Sequence, residues 1–174
     1  MATKATFTPD EWARIMASPI VAGIAITAAD PGGLWSMLKE ALASGWALLD
    51  VKKDPNADPL VKAVADDLGD PTTRDALRHS FEGRFKGSEL SSVPQKAIEE
   101  LRAVAGLLDA KAPEDAPAFK AWLRQVAQQT AEAGKEGGFF GFGGVKVSDA
   151  EKATLSEIDA ALSASGVPAG IAET

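Results

Sequence analysis

The 174-residue chain carries no Cys, one His and ten Pro, and its 18 basic and 25 acidic residues leave a net charge of −7. Without thiolates, disulfides, Cys nucleophiles, iron–sulfur clusters and thiolate zinc sites are excluded, and His79 alone cannot build a multi-histidine metal centre. The acidic balance repels phosphate backbones and anionic membranes, so nucleic acid is not an expected partner, while 45% apolar residues suffice for a core.

Proline positions organise the chain, because Pro is tolerated in the first helical turn and disruptive further in. Thr8-Pro9-Asp10-Glu11 is a capping box, with Phe7 and Trp12 at the two positions of a hydrophobic staple. Ser18-Pro19 reads as the opening of a second segment. The run from Ile15 to Ala29 is uncharged but only fifteen residues long, short of the roughly 18 to 20 needed for a membrane span. Asp10 and Glu11 stand before it beside Lys4 and Arg14, unlike the positive flank of a signal peptide, so a cytoplasmic location is expected.

Asp30-Pro31, Asp58-Pro59 and Asp70-Pro71 each place a carboxylate at a helix N-cap, where it accepts backbone N–H groups and complements the dipole. From Trp35 onward, Leu38, Leu42, Trp46 and Leu49 fall within about 80° of one another on a 3.6-residue helix. Lys52 to Asp58 forms a polar turn and Gly83 to Ser92 a connector, neither long enough to divide the chain into two domains. Ser92 or Val93 before Pro94 opens the next helix, whose stripe is Ile98, Leu101, Ala105 and Leu108. Asp115 caps a helix carrying Pro117, with Phe119, Trp122, Leu123 and Val126 on its buried face. Ser148-Asp149-Ala150-Glu151 is a second capping box, followed by Leu155, Ile158 and Leu162. The four Trp, at 12, 35, 46 and 122, fall on such stripes and read as core.

Period-two alternation hardly occurs, Val145-Lys146-Val147 being the longest case. The pattern therefore predicts an all-α fold: one globular bundle of about seven or eight helices over residues 1–166, followed by a loosely ordered tail at 167–174. No internal repeat is present.

Two features stand apart from this scaffold. The stretch 134–147 holds six of the sixteen Gly and, at Phe139, Phe140 and Phe142, three of the seven Phe. It meets neither phosphate-loop spacing, and it follows a helix instead of a strand. Its glycines can stop the helix while the rings plug the core, or the rings can face outward as a contact for a partner. The second feature is a basic cluster, Arg74, Arg78, His79, Arg84 and Lys86. Arg74 and Arg78 share a helix face and offer a fork for an anion, although Asp75 and Glu82 stand at pairing distance on the same helix. Ser80 points about 100° away from His79 on a helix, so the two cannot align as nucleophile and base. The carboxylate pairs Asp66-Asp67, Glu99-Glu100 and Glu114-Asp115 diverge in the same way, and no metal-ligand spacing appears.

The segment from Gly143 through Val147-Ser148-Asp149-Ala150-Glu151-Lys152-Ala153-Thr154-Leu155 to Leu162 resembles the closing helix of TerB-like helical proteins, a group associated with tellurite resistance and stress responses. That group carries Asp-Gly before this helix as part of an acidic metal site. Here Gly143-Gly144 stands in its place, so no ligand is carried over. Elsewhere the chain is similar to uncharacterised bacterial all-helical proteins, a likeness that implies no activity. No metal or cofactor is expected. The expectation is a non-enzymatic domain that binds a protein partner, or its own copy, through 134–147. The alternative is a small-molecule or anion pocket, possible in an enzyme, at Arg74, Arg78, His79 and Arg84.

Overall fold

A computed structural model describes residues 1–29, 51, 54–73, 77, 92–133 and 147–164. Every regular element among them is helical, and the all-α class holds. A short 3-10 turn, Lys4–Thr6, precedes α1 (Pro9–Ala29), α2 (Pro59–Gly69), α3 (Val93–Lys111), α4 (Ala116–Ala133) and α5 (Asp149–Ser163). These six elements among the described residues are slightly fewer than the seven or eight expected. The Asp30-Pro31 start, the Trp35 to Leu49 stripe and the tail at 167–174 lie outside the described residues.

The first helix starts as its sequence dictates. Thr8 N–H donates to Glu11 Oε2 at 2.7 Å, and Glu11 N–H donates to Thr8 Oγ1 at 3.3 Å. Phe7 and Trp12, both buried, meet across this cap with ring centroids 6.0 Å apart.

Beyond the cap the sequence expectation needs correction. Ser18-Pro19 does not open a new segment, because α1 runs unbroken for 21 residues with Pro19 inside it. An interior Pro costs a helix about 3 kcal/mol, partly because it cannot donate to the carbonyl four residues back. That carbonyl belongs to Ile15, and the buried hydroxyl of Ser18 donates to it at 2.6 Å. The residue before the proline thus supplies the hydrogen bond that the proline lacks. Burial provides the remaining drive. Ile15, Met16, Val21, Ile24 and Ile26 are all buried, and each such side chain contributes roughly 1.5–3 kcal/mol, together several times the proline penalty.

Helix α1 is apolar on nearly every side, the pattern of a helix surrounded by others. It packs most extensively against α3 and α4, and also against α2 and α5. The outer helices are each one-sided. On α2 the buried residues are Leu60, Val61, Val64, Ala65 and Leu68, below an Asp58 cap that accepts from Leu60 N at 2.8 Å and Val61 N at 3.4 Å. Asp70 repeats the device toward Thr72 N at 2.7 Å and Thr73 N at 3.1 Å, and residues 71–73 are helical.

Helices α3 and α4 form a hairpin joined by residues 112–115, with Lys120 Nζ on α4 held by both carboxylate oxygens of Asp109 on α3, at 2.6 and 2.7 Å. The predicted stripes are the buried ones: Ile98, Leu101, Ala105 and Leu108 on α3, and Phe119, Trp122, Leu123 and Val126 on α4. Phe119 and Trp122 meet edge to face, centroids 5.3 Å apart at 81°. Asp115 stands directly before α4, where the sequence expects a side-chain cap, but its side chain is engaged by the N-terminal segment instead. Its carboxylate, almost fully buried, accepts the N–H of Ala2 at 2.6 Å and so fastens the N-terminal segment to the hairpin turn.

Helix α5 begins at the second capping box, Ser148 N–H to Glu151 Oε2 at 2.8 Å and Glu151 N–H to Ser148 Oγ at 3.1 Å. Ile158 and Leu162 are buried and Leu155 packs partly against the same core.

The Ser18 arrangement predicts a non-additive pair. Ser18→Ala strands a buried carbonyl and lowers unfolding stability by about 1–3 kcal/mol, read by urea denaturation. Pro19→Ala restores the backbone donor, so Ser18→Ala costs much less in that background; equal costs in both would show that the hydroxyl does not compensate the proline. Phe119→Ala, at a fully buried site, lowers stability by about 3–5 kcal/mol in the same assay.

Candidate functional site

Arg74, Arg78, His79 and Arg84, and likewise Phe139, Phe140 and Phe142, lie outside the described residues. The structure does define what flanks them. The basic cluster follows the Asp70-capped start at 71–73, and Leu77 within it is helical and buried.

The Phe/Gly segment has firmer mounts. It leaves α4 after a turn in which Ala131 is buried and Thr130 Oγ1 donates to the Val126 carbonyl at 2.8 Å. It rejoins the scaffold at Val147, half-buried against the core, one residue before the Ser148 box. Helices α4 and α5 also pack on each other, and Arg124 on α4 is bound to Asp159 and, at 2.8 Å, to Ser163 Oγ on α5. Both ends of the thirteen residues between 133 and 147 are therefore carried by helices tied to one another.

The carboxylates that the sequence presents in adjacent pairs are divided among different partners. Glu114 receives the terminal ammonium at 3.1 Å, whereas Asp115 turns inward to Ala2 N. Glu100 approaches Arg14 Nε at 3.2 Å, while Glu99 is exposed. Asp67 joins two elements at once. Its Oδ2 accepts from Lys4 Nζ at 2.7 Å and from the Trp12 indole Nε1–H at 2.8 Å, and the Lys4 ammonium sits 5.9 Å from the Trp12 ring centroid. Partial burial opposes ionisation of Asp67, but these two donors outweigh it and hold the carboxyl below its ordinary range. Glu11 is lowered by its hydrogen bond with Lys111 and then by the Thr8 cap, and Asp149 by Lys152. Asp67 joins the N-terminal segment to α2 and Glu11 the start of α1 to the end of α3, while the Asp149 pair lies within the first turn of α5.

One open cleft, about 440 Å³, runs between α3 and α5 along Gln95, Ile98, Glu99, Arg102, Glu157 and Ala160. Sequence reasoning passes over it. The i, i+4, i+7 spacing of Gln95, Glu99 and Arg102 marks one edge of α3, but nothing local says that α5 lies beside that edge. Among the described residues, no group of three or more His, Cys, Asp or Glu side chains could hold a metal ion, and no helix is long and apolar enough to cross a membrane.

No family model, curated protein or solved structure matches this chain. The likeness to TerB-like proteins rests on residues 143–162 themselves. Of that stretch the described part is a capped amphipathic helix and the two residues before it.

The lowered carboxylates set the acid response. A group whose folded pKa lies below its unfolded value contributes stability above the unfolded pKa, near 4 for Asp and Glu, and loses it as pH falls through the folded value. Urea unfolding is expected to show stability level from pH 7 to about 5 and declining toward pH 3. Asp67→Asn keeps an acceptor for the Trp12 indole but removes the titrating group, so its decline is shallower; parallel curves for variant and parent would remove Asp67 from this account.

Proposed function

We propose that this protein is a non-enzymatic helical binding domain that recognises a protein partner through the Phe/Gly-rich segment 134–147. The observation that supports this reading is the mounting of the segment. Both of its ends are fixed on α4 and α5, which are packed together and joined by the Arg124 contacts, so whatever the segment contacts is met from one place on a rigid scaffold. Phe139, Phe140 and Phe142 supply large apolar surface with few rotatable bonds, the side-chain type that anchors protein interfaces, and the glycines around them allow close backbone approach. Met1 is the one exposed large apolar side chain among the described residues. The partner is another protein or a second copy of the chain, in the cytoplasm. A net charge of −7 disfavours nucleic acid in that role.

The test replaces Phe139, Phe140 and Phe142 together by Ser. Outward-facing rings predict an unchanged helical circular dichroism spectrum, stability within about 0.5 kcal/mol of the parent, and loss of partner capture or of self-association by light scattering. Rings that plug the core instead predict a loss of about 3–5 kcal/mol for each Phe, and that result overturns the reading. A thermal-shift series with inorganic phosphate and simple carboxylates runs in parallel. A ligand at 100 times its dissociation constant adds about 2.7 kcal/mol of stability. A shift abolished by Arg74→Ala and Arg78→Ala would move the functional site to the basic cluster.

A further inference from the structure

We draw no further inference here: the strongest candidate, the open cleft between α3 and α5 lined by Gln95, Ile98, Glu99, Arg102, Glu157 and Ala160, is edged by solvent-exposed charged groups, and nothing in the structure shows what covers it.

Discussion

At the centre of this bundle one hydroxyl compensates the hydrogen bond that Pro19 removes from α1. Helix α1 has neighbours in α2, α3, α4 and α5, and it can serve them all only if it remains one straight-through element from Pro9 to Ala29. Pro19 threatens that continuity at the middle of its length. A buried carbonyl left without a donor costs about as much as a good core side chain contributes, and the site around Ile15 is too apolar to hydrate it. Ser18 removes the conflict from within, because its side chain reaches back to the same carbonyl that the proline cannot serve. Thr27 makes a similar reach to the Gly23 carbonyl at 2.9 Å, two residues before Ala29. Both hydroxyls are buried, so a helix uncharged from Ile15 onward satisfies its few polar side chains against its own backbone and keeps its sides free for packing.

The charged residues follow a complementary rule. Several of them join elements at helix ends. Glu11 closes the cap of α1 and receives Lys111 from the last turn of α3, so one carboxylate serves the start of one helix and the end of another. Asp67 does comparable work at the end of α2, where it meets the N-terminal segment and the Trp12 indole together. Isolated surface ion pairs contribute little, typically below about 1 kcal/mol. Those that also receive a backbone or indole N–H define which ends lie together, and this is how an acidic chain uses part of its surplus of carboxylates.

Local signals in the sequence read well where local chemistry decides the outcome. Thr8, Asp58, Asp70 and Ser148 all cap as their neighbours require, and the stripes on α3, α4 and α5 are buried residue for residue or nearly so. Ser18-Pro19 reads wrongly for the same reason that the others read correctly. A Ser before a Pro is a good helix start in isolation, and only the burial of Ile15 through Ile26 on all sides turns the same dipeptide into an interior repair. Tertiary facts were not legible at all. The reach of Asp115 to Ala2, 113 residues away, and the edge of α5 along Gln95, Glu99 and Arg102 depend on packing that no window of sequence contains.

The same distinction governs what can be said of function. A catalytic centre is a tertiary fact, built from side chains brought together from distant elements, and the carboxylates described here are drawn apart into separate structural tasks. The proposed binding segment is nearer to a local fact, since its composition and the helices that flank it are adjacent in the chain. Three Phe among six Gly would be a weak scaffold element by composition alone, because Gly loses the most conformational entropy on ordering. In the chain the segment stands between Ala131, buried on α4, and the Ser148 box on α5. Closing a loop of this length over anchored ends leaves less freedom to be lost on contact than a free tail of the same composition would have. Recognition through Phe139, Phe140 and Phe142, as proposed, would draw on the position of the segment between α4 and α5 as well as on its sequence.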